Sequence, residues 1–263
     1  MKGYLAILSA RFRSLLQYRA AALAGFGTQL FWGLIRVMIF DAFYRSAAGP
    51  QPMSYPEVVT YVWLGQATLA LTLGSVDGDI RQMVRDGTVA YELLRPLDLY
   101  GLWYSRAVAT RVAPMLLRAG PMFPVAGLFL GLRAPPSWEC GLAWLAATGM
   151  AVLLASAIWT LMNISLLWTI AGEGAARYFP AMIYLFSGML IPLPLLPGWA
   201  QAMVNALPFR GLADVPFRIY MGHIPPGAVP GVLAQQLLWI AALVLLGRLL
   251  LSRATRRLVV QGG

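Results

Sequence analysis

Asp77-Gly-Asp-Ile-Arg-Gln-Met-Val-Arg-Asp-Gly-Thr-Val-Ala-Tyr-Glu-Leu-Leu-Arg-Pro-Leu-Asp98 is a polar island between two long apolar runs, and it holds five of the ten acidic residues of the chain. It is the longest internal segment that cannot sit in lipid, so its reading separates what lies in a membrane from what lies outside. A helix from about Asp79 to Arg85 puts Ile80, Met83 and Val84 on one face, because residues three and four apart are neighbours on a helix. Asp79, Arg81 and Arg85 lie round the rest. Asp86-Gly87 supplies a stop, since Gly accepts the left-handed conformation after a helix end. A second short segment, Thr88 to Leu94, ends at Arg95-Pro96, where proline disfavours helix in the preceding residue. Two amphipathic pieces joined at Gly87 form a surface suited to docking another protein. The simpler alternative is a hydrated loop, as most loops are.

The surrounding composition explains why the island stands out. The chain is 59% hydrophobic and 11% charged, with a mean hydropathy of +0.68, whereas soluble domains carry about 25% charged residues. This composition predicts an integral membrane protein, read as a single all-α transmembrane domain over residues 1–263. The net charge of +10 does not point to nucleic acid, because the arginines sit at the ends of apolar runs and form no continuous stripe. A single cysteine, Cys140, excludes an internal disulfide, and with one histidine, His223, no ordinary structural zinc site can be assembled. Lys2 is the only lysine, so a phosphate-binding loop of the form G-x-x-x-x-G-K-[ST] cannot exist. Any nucleotide must be bound by a partner.

Residues 2–19 read as an interfacial amphipathic helix, with Tyr4, Leu5, Leu8, Phe12, Leu15 and Leu16 on one face. A signal peptide is the alternative, but the apolar run from Ala20 to Phe43 exceeds a signal core. Runs long enough to cross lipid fall at 22–43, 57–76, 103–131, 139–170, 178–197 and 231–252. Six spans put both termini on one side. That side collects Lys2, Arg81, Arg85, Arg95, Arg177 and the tail arginines Arg253, Arg256 and Arg257. The excess of positive charge places the termini and residues 77–98 in the cytoplasm.

Some polar residues fall inside the runs. Arg36 must face protein or water, and pairing with Asp41 or Glu57 is favoured over contact with a substrate path. Arg106 and Arg111 open the third run, where their stems can snorkel to the interface. The same run carries Pro114, Pro121 and Pro124, which predict a kinked, packed helix. Ser156, Asn163 and Ser165 read as interhelical hydrogen-bonding groups. The fifth run meets Pro192, Pro194 and Pro197 after about 14 residues, or about 21 Å, which is short of a crossing. Pro208, Gly211 and Pro216 break the next stretch into two short helices, about 198–207 and 212–221, expected to dip into the outer leaflet as a re-entrant pair. His223 reads as a loop residue to which nothing in the sequence gives a partner.

An interfacial helix, six spans, a helical loop after the second and a re-entrant pair at 198–221 together resemble the ABC-2 type permeases, membrane subunits of ATP-binding-cassette exporters. Met83-Val-Arg-Asp-Gly-Thr-Val-Ala-Tyr-Glu-Leu-Leu-Arg-Pro-Leu97 is similar to that family's cytoplasmic coupling region. Ser187-Gly188-Met-Leu-Ile-Pro192 with Leu207-Pro208-Phe209 looks like its outer region. The resemblance implies cytoplasmic ATPase subunits, which bind the ATP and Mg, together with a second permease chain and export of an amphipathic or hydrophobic substrate. No cofactor is then expected in this chain. It also implies that Asp79, Ile80, Met83, Val84, Arg85, Asp86, Glu92 and Arg95 contact the ATPase with Gly87 as pivot, that Glu173 belongs to a second contact, and that Pro192 and Pro208 shape an outer lid. Arg36 remains a candidate for the path.

Two other classes compete. Asp86-Gly87-Thr-Val-Ala90-Tyr91 begins like the D-G-x-x-A-R motif of CDP-alcohol phosphotransferases, but Tyr91 replaces the arginine, and Tyr104 and Val108 stand where the metal-holding aspartates would fall. A secondary transporter or channel is the other, although no acidic residue lies clearly mid-span and no internal repeat is visible.

Overall fold

The computed structural model describes residues 3–4, 9–10, 12–14, 19–168 and 173–256, with backbone alone for 19–22 and 173–177. The expected interfacial helix at 2–19 therefore lies largely outside the described residues. Ten α-helices occur among those described from Arg19 onward: α1 (Arg19–Ser46), α2 (Tyr55–Ala67), α3 (Gly78–Arg85), α4 (Val89–Leu93), α5 (Leu99–Phe129), α6 (Trp138–Ser165), α7 (Glu173–Phe186), α8 (Gly198–Ala206), α9 (Asp214–Tyr220) and α10 (Val229–Thr255). No strand occurs among the described residues.

Among the described residues, four helices are long and apolar enough to cross a membrane: α1 from Leu23, α5, α6 and α10 with the turn before it. They match four of the six expected runs. The other two runs end early. A Ser54–Glu57 capping box starts α2, with the Ser54 N–H donating to Glu57 Oε2 at 2.7 Å. It closes where the Thr68 hydroxyl turns back on the Leu64 carbonyl at 2.8 Å and a 3-10 turn, Leu69–Leu71, begins. Helix α7 stops at Ser187-Gly188, with Gly188 at φ +88°. At 14 residues it spans about 21 Å.

Helix α6 lies at the centre, packed against α5, α9 and α10. Its buried face is rich in small residues, Ala147, Ala151, Ala155 and Ala157, which let neighbouring backbones approach closely. Trp63, Trp103 and Trp159 fill the largest fully buried positions around it. On the outward faces of α1 and α10, Phe31, Trp32, Met38, Leu238 and Leu245 are exposed, as lipid-facing side chains are. Helices α8 and α9 form where two short helices were expected. The segment 208–220 is almost wholly buried, with Phe217 edge-on to Tyr61 at 4.9 Å between ring centroids.

Polar pairings within the bundle differ from expectation. The Arg36 guanidinium donates to the carbonyls of Met189 and Leu190, so it satisfies backbone freed where α7 breaks. Asp41 pairs instead with Arg45 at 2.9 Å. Glu57 meets His223 Nε2 at 2.8 Å, which gives the histidine a partner 166 residues away. Ser156 and Ser165 bond to carbonyls of their own helix, at Val152 and Met162. Asn163 bridges to another segment, accepting from the Asp77 N–H at 2.9 Å. Arg111 does not snorkel: it is 5% exposed, lying over the Trp159 ring at 4.8 Å.

A candidate coupling surface

The island folds as the two short helices its pattern demanded. Asp77 caps α3, accepting from the N–H groups of Asp79 (2.9 Å) and Ile80 (3.4 Å). Helix α3 ends at Asp86, and Gly87 takes φ +73°, the turn that separates α3 from α4. Asp98 then caps α5 by accepting from the Gly101 N–H at 2.9 Å.

The apolar stripe on α3 faces inward. Ile80 is fully buried, and Met83 and Val84 pack on the same core as Trp103, Ile158 and Trp159. Ile80 is therefore unavailable as a docking contact, whereas Met83 and Val84 are half-buried, packed on the core along one side. Glu92 is buried as well. Its Oε2 accepts from Trp103 Nε1 at 2.8 Å, so it anchors α4 to α5 and is not a surface contact. The exposed apolar residues lie on and just after α4: Tyr91 is 71% exposed, Leu94 80% and Leu93 43%. Arg81, Arg85, Asp86, Arg95 and Asp98 are exposed around them. Asp86 accepts from Gln82 Nε2 at 2.7 Å. Tyr91 and Leu94 share a face by their three-residue spacing, a signal present in the sequence but outweighed there by the stripe on α3.

Behind this surface three polar anchors tie it to the long helices. Arg106 of α5 reaches Asp77 at 3.2 Å and Asp79 at 2.8 Å. Asn163 of α6 holds the backbone of Asp77. Asp98 meets Arg248 of α10 at 3.3 Å, and its N–H donates to the Tyr4 hydroxyl at 3.0 Å. Asp79 thus belongs to the anchorage, joined there by Asp77, Asp98, Arg106 and Arg248, whose part in the site no sequence pattern marks. These contacts join the α3–α4 segment to α5, α6 and α10. Glu173 stands at the first residue of α7, and its side chain lies outside the described residues.

At the other end of the bundle, Pro192 precedes the 3-10 turn Leu193–Leu195, and Pro208 opens another, Pro208–Leu212. Asp214 is fully buried there, 3.9 Å from both Arg210 and Arg218, and its N–H donates to the Ser187 carbonyl at 3.2 Å. Of the region expected to form a lid, residues 208–220 are packed into the core, whereas much of α8, including Trp199 and Met203, is exposed. Arg36 contributes to this end through Met189 and Leu190 and does not approach the coupling surface.

One consequence is measurable on the chain alone. Glu92→Ala leaves the buried Trp103 indole N–H without an acceptor, a loss of about 1–3 kcal/mol, whereas Glu92→Gln keeps an acceptor oxygen. Thermal unfolding in detergent is expected to show a clearly larger drop in Tm for alanine than for glutamine.

A bundle of apolar helices long enough to cross a membrane, carrying a polar segment bonded to several of them, defines the class: a helical, multi-pass membrane protein. A family model described as ABC-2 family transporter protein matches residues 25–262. The chain belongs to that family, the permease component of ATP-binding-cassette transport. Permeases of this family work with ATP-binding-cassette ATPases. Comparisons with curated proteins and with solved structures found no match.

Proposed function

We propose that the chain is the transmembrane subunit of an ATP-driven exporter in a bacterial inner membrane, paired with a second permease chain, and that α3 and α4 receive a cytoplasmic ATPase. The observation that carries this reading is the exposure of the apolar Tyr91, Leu93 and Leu94, with the exposed charges Arg85, Asp86 and Arg95 beside them in the chain, on a segment clamped to three long helices. Aromatic and aliphatic anchors within a charged rim are the usual energetic centre of a protein interface. ATP binding and hydrolysis belong to the partner, and the closure of the partner subunits moves the clamped helices and the path between permease chains. An amphipathic or hydrophobic substrate travels that path, with the segment 198–221 closing its outer end and Pro192 and Pro208 fixing its turns. A secondary transporter would have no use for such an exposed cluster.

Leu94→Asp is expected to weaken ATPase binding by about tenfold or more, since a charge replaces an interface anchor, while membrane insertion is unchanged. Affinity measured on the reconstituted pair checks this, and unaltered affinity would remove Leu94 from the interface. Topology has its own readout. With Cys140 replaced by Ser, an impermeant thiol reagent added outside cells is expected to label G49C and H223C and not D86C. The reverse pattern contradicts the orientation.

A further inference from the structure

Between the loop after α2, the N-terminal half of α5 and the C-terminal half of α6 lies a cavity of about 320 Å³, lined on one side by Asp77 and Gly78 and reaching inward to Arg111, Pro114, Arg118 and Trp159. We propose that this cavity is a binding site for the anionic headgroup of an amphiphile, with Arg111 as the principal charge contact. The proposal rests on the transport reading only in making this ligand a substrate; the binding itself stands apart from it.

Arg111 is almost completely buried, and its Nε has no hydrogen-bond partner among the described residues. Its face is covered by Trp159, but a ring is a weak counter-charge for a buried guanidinium. The Trp159 indole N–H on the same wall also lacks an acceptor there. Asp77, the carboxylate lining the cavity, is already engaged by Arg106 and by the N-terminus of α3. Among the described residues Arg118 meets a neutral oxygen: with the Gln29 amide oriented to donate to the Gln66 carbonyl at 3.2 Å, its oxygen accepts from Arg118 Nη1 at 3.3 Å. Two guanidinium groups thus line one cavity whose carboxylate among the described lining residues, Asp77, is shared with Arg106. A phosphate or carboxylate in the cavity pairs with them, and Arg forms its strongest pairs with those groups. Ala70, Leu73 and Pro114 add apolar wall for the first carbons of a chain. The cavity is of headgroup size and touches the Asp77 clamp, so its occupancy bears on the coupling segment.

The test uses the purified full chain in detergent, without ATPase or nucleotide, so that its failure leaves the coupling reading standing. In a Cys140→Ser background, Thr110→Cys places a thiol on the cavity wall, and its modification rate by a methanethiosulfonate reagent is measured. Dihexanoyl-phosphatidylglycerol is expected to slow modification about tenfold at concentrations where dihexanoyl-phosphatidylcholine does not, and Arg111→Met is expected to abolish the protection. Arg111→Met is also expected to leave the unliganded chain at least as thermostable, because it replaces a buried charge, whose nearby carboxylate Asp77 is shared with Arg106, by an apolar side chain. Protection by inorganic phosphate alone assigns the site to a free anion; protection that needs the acylated probe assigns it to a lipid. Equal rates with and without every anionic probe, or protection that persists in Arg111→Met, would overturn the proposal.

Discussion

Arg106→Ala is expected to uncouple the transporter: ATP-driven flux in proteoliposomes falls about tenfold or more while membrane insertion and partner binding survive. One guanidinium holds both Asp77, which caps α3, and Asp79, at 3.2 and 2.8 Å. Arg106 and Asp77 are largely withdrawn from water, whereas Asp79 remains more than half exposed. Loss of the clamp then costs about 1–3 kcal/mol, below the 3–5 kcal/mol of a fully buried pair. That is enough to free α3 from α5 without unfolding the bundle, because Ile80, Met83 and Val84 still pack against the core. Arg106→Lys is expected to fall between wild type and alanine, since a point charge cannot span two carboxylates as a planar fork does. ATPase rate and flux measured together separate the outcomes. Flux per ATP unchanged in Arg106→Ala would mean that force reaches the long helices by another route.

Gly188→Val is expected to have the largest effect on stability. Gly188 sits at φ +88°, and a Cβ there would run into the Tyr61 hydroxyl and lie 3.1 Å from Leu193 Cγ. A β-branched residue in that conformation costs about 1–3 kcal/mol in backbone strain, and overpacking adds about 1–3 kcal/mol more. Gly49 serves as the control: at φ +106° it has nothing within 4 Å of a built Cβ, so Gly49→Val bears the backbone part alone. The two variants compared by thermal unfolding in detergent should differ by a margin that reports the packing of α7 against α2 and α9. Equal losses would mean that the junction is looser than its geometry indicates.

Much of this architecture was legible because it rests on local chemistry. The helical stop at Gly87, the proline-broken segment after α7 and the four long apolar helices arise from residue types read a few positions at a time. The candidate site was legible only in outline. The stripe of Ile80, Met83 and Val84 declares an apolar face, but periodicity does not say whether a partner or the chain's own α5 covers it. Glu92 reads as a surface charge until Trp103, eleven residues on, turns its indole toward it. Arg36 finds backbone carbonyls, acceptors that every residue offers and no sequence pattern marks. The Glu57–His223 pair requires knowing that α2 and the loop after α9 meet. Tyr91 and Leu94 were visible as a spaced pair, yet only the burial of the α3 stripe turns them into the exposed apolar surface.

The central claim, that α4 is where the ATPase docks, is tested most directly by site-specific photocrosslinking in cells. A benzophenone amino acid is placed at Leu94, and separately at Trp138, which is 74% exposed at the opposite end of the bundle. Capture of an ATP-binding-cassette ATPase at position 94, with a yield that changes when ATP is trapped, and no capture at position 138, is the predicted result. Capture at position 138 and not at 94 would contradict the account.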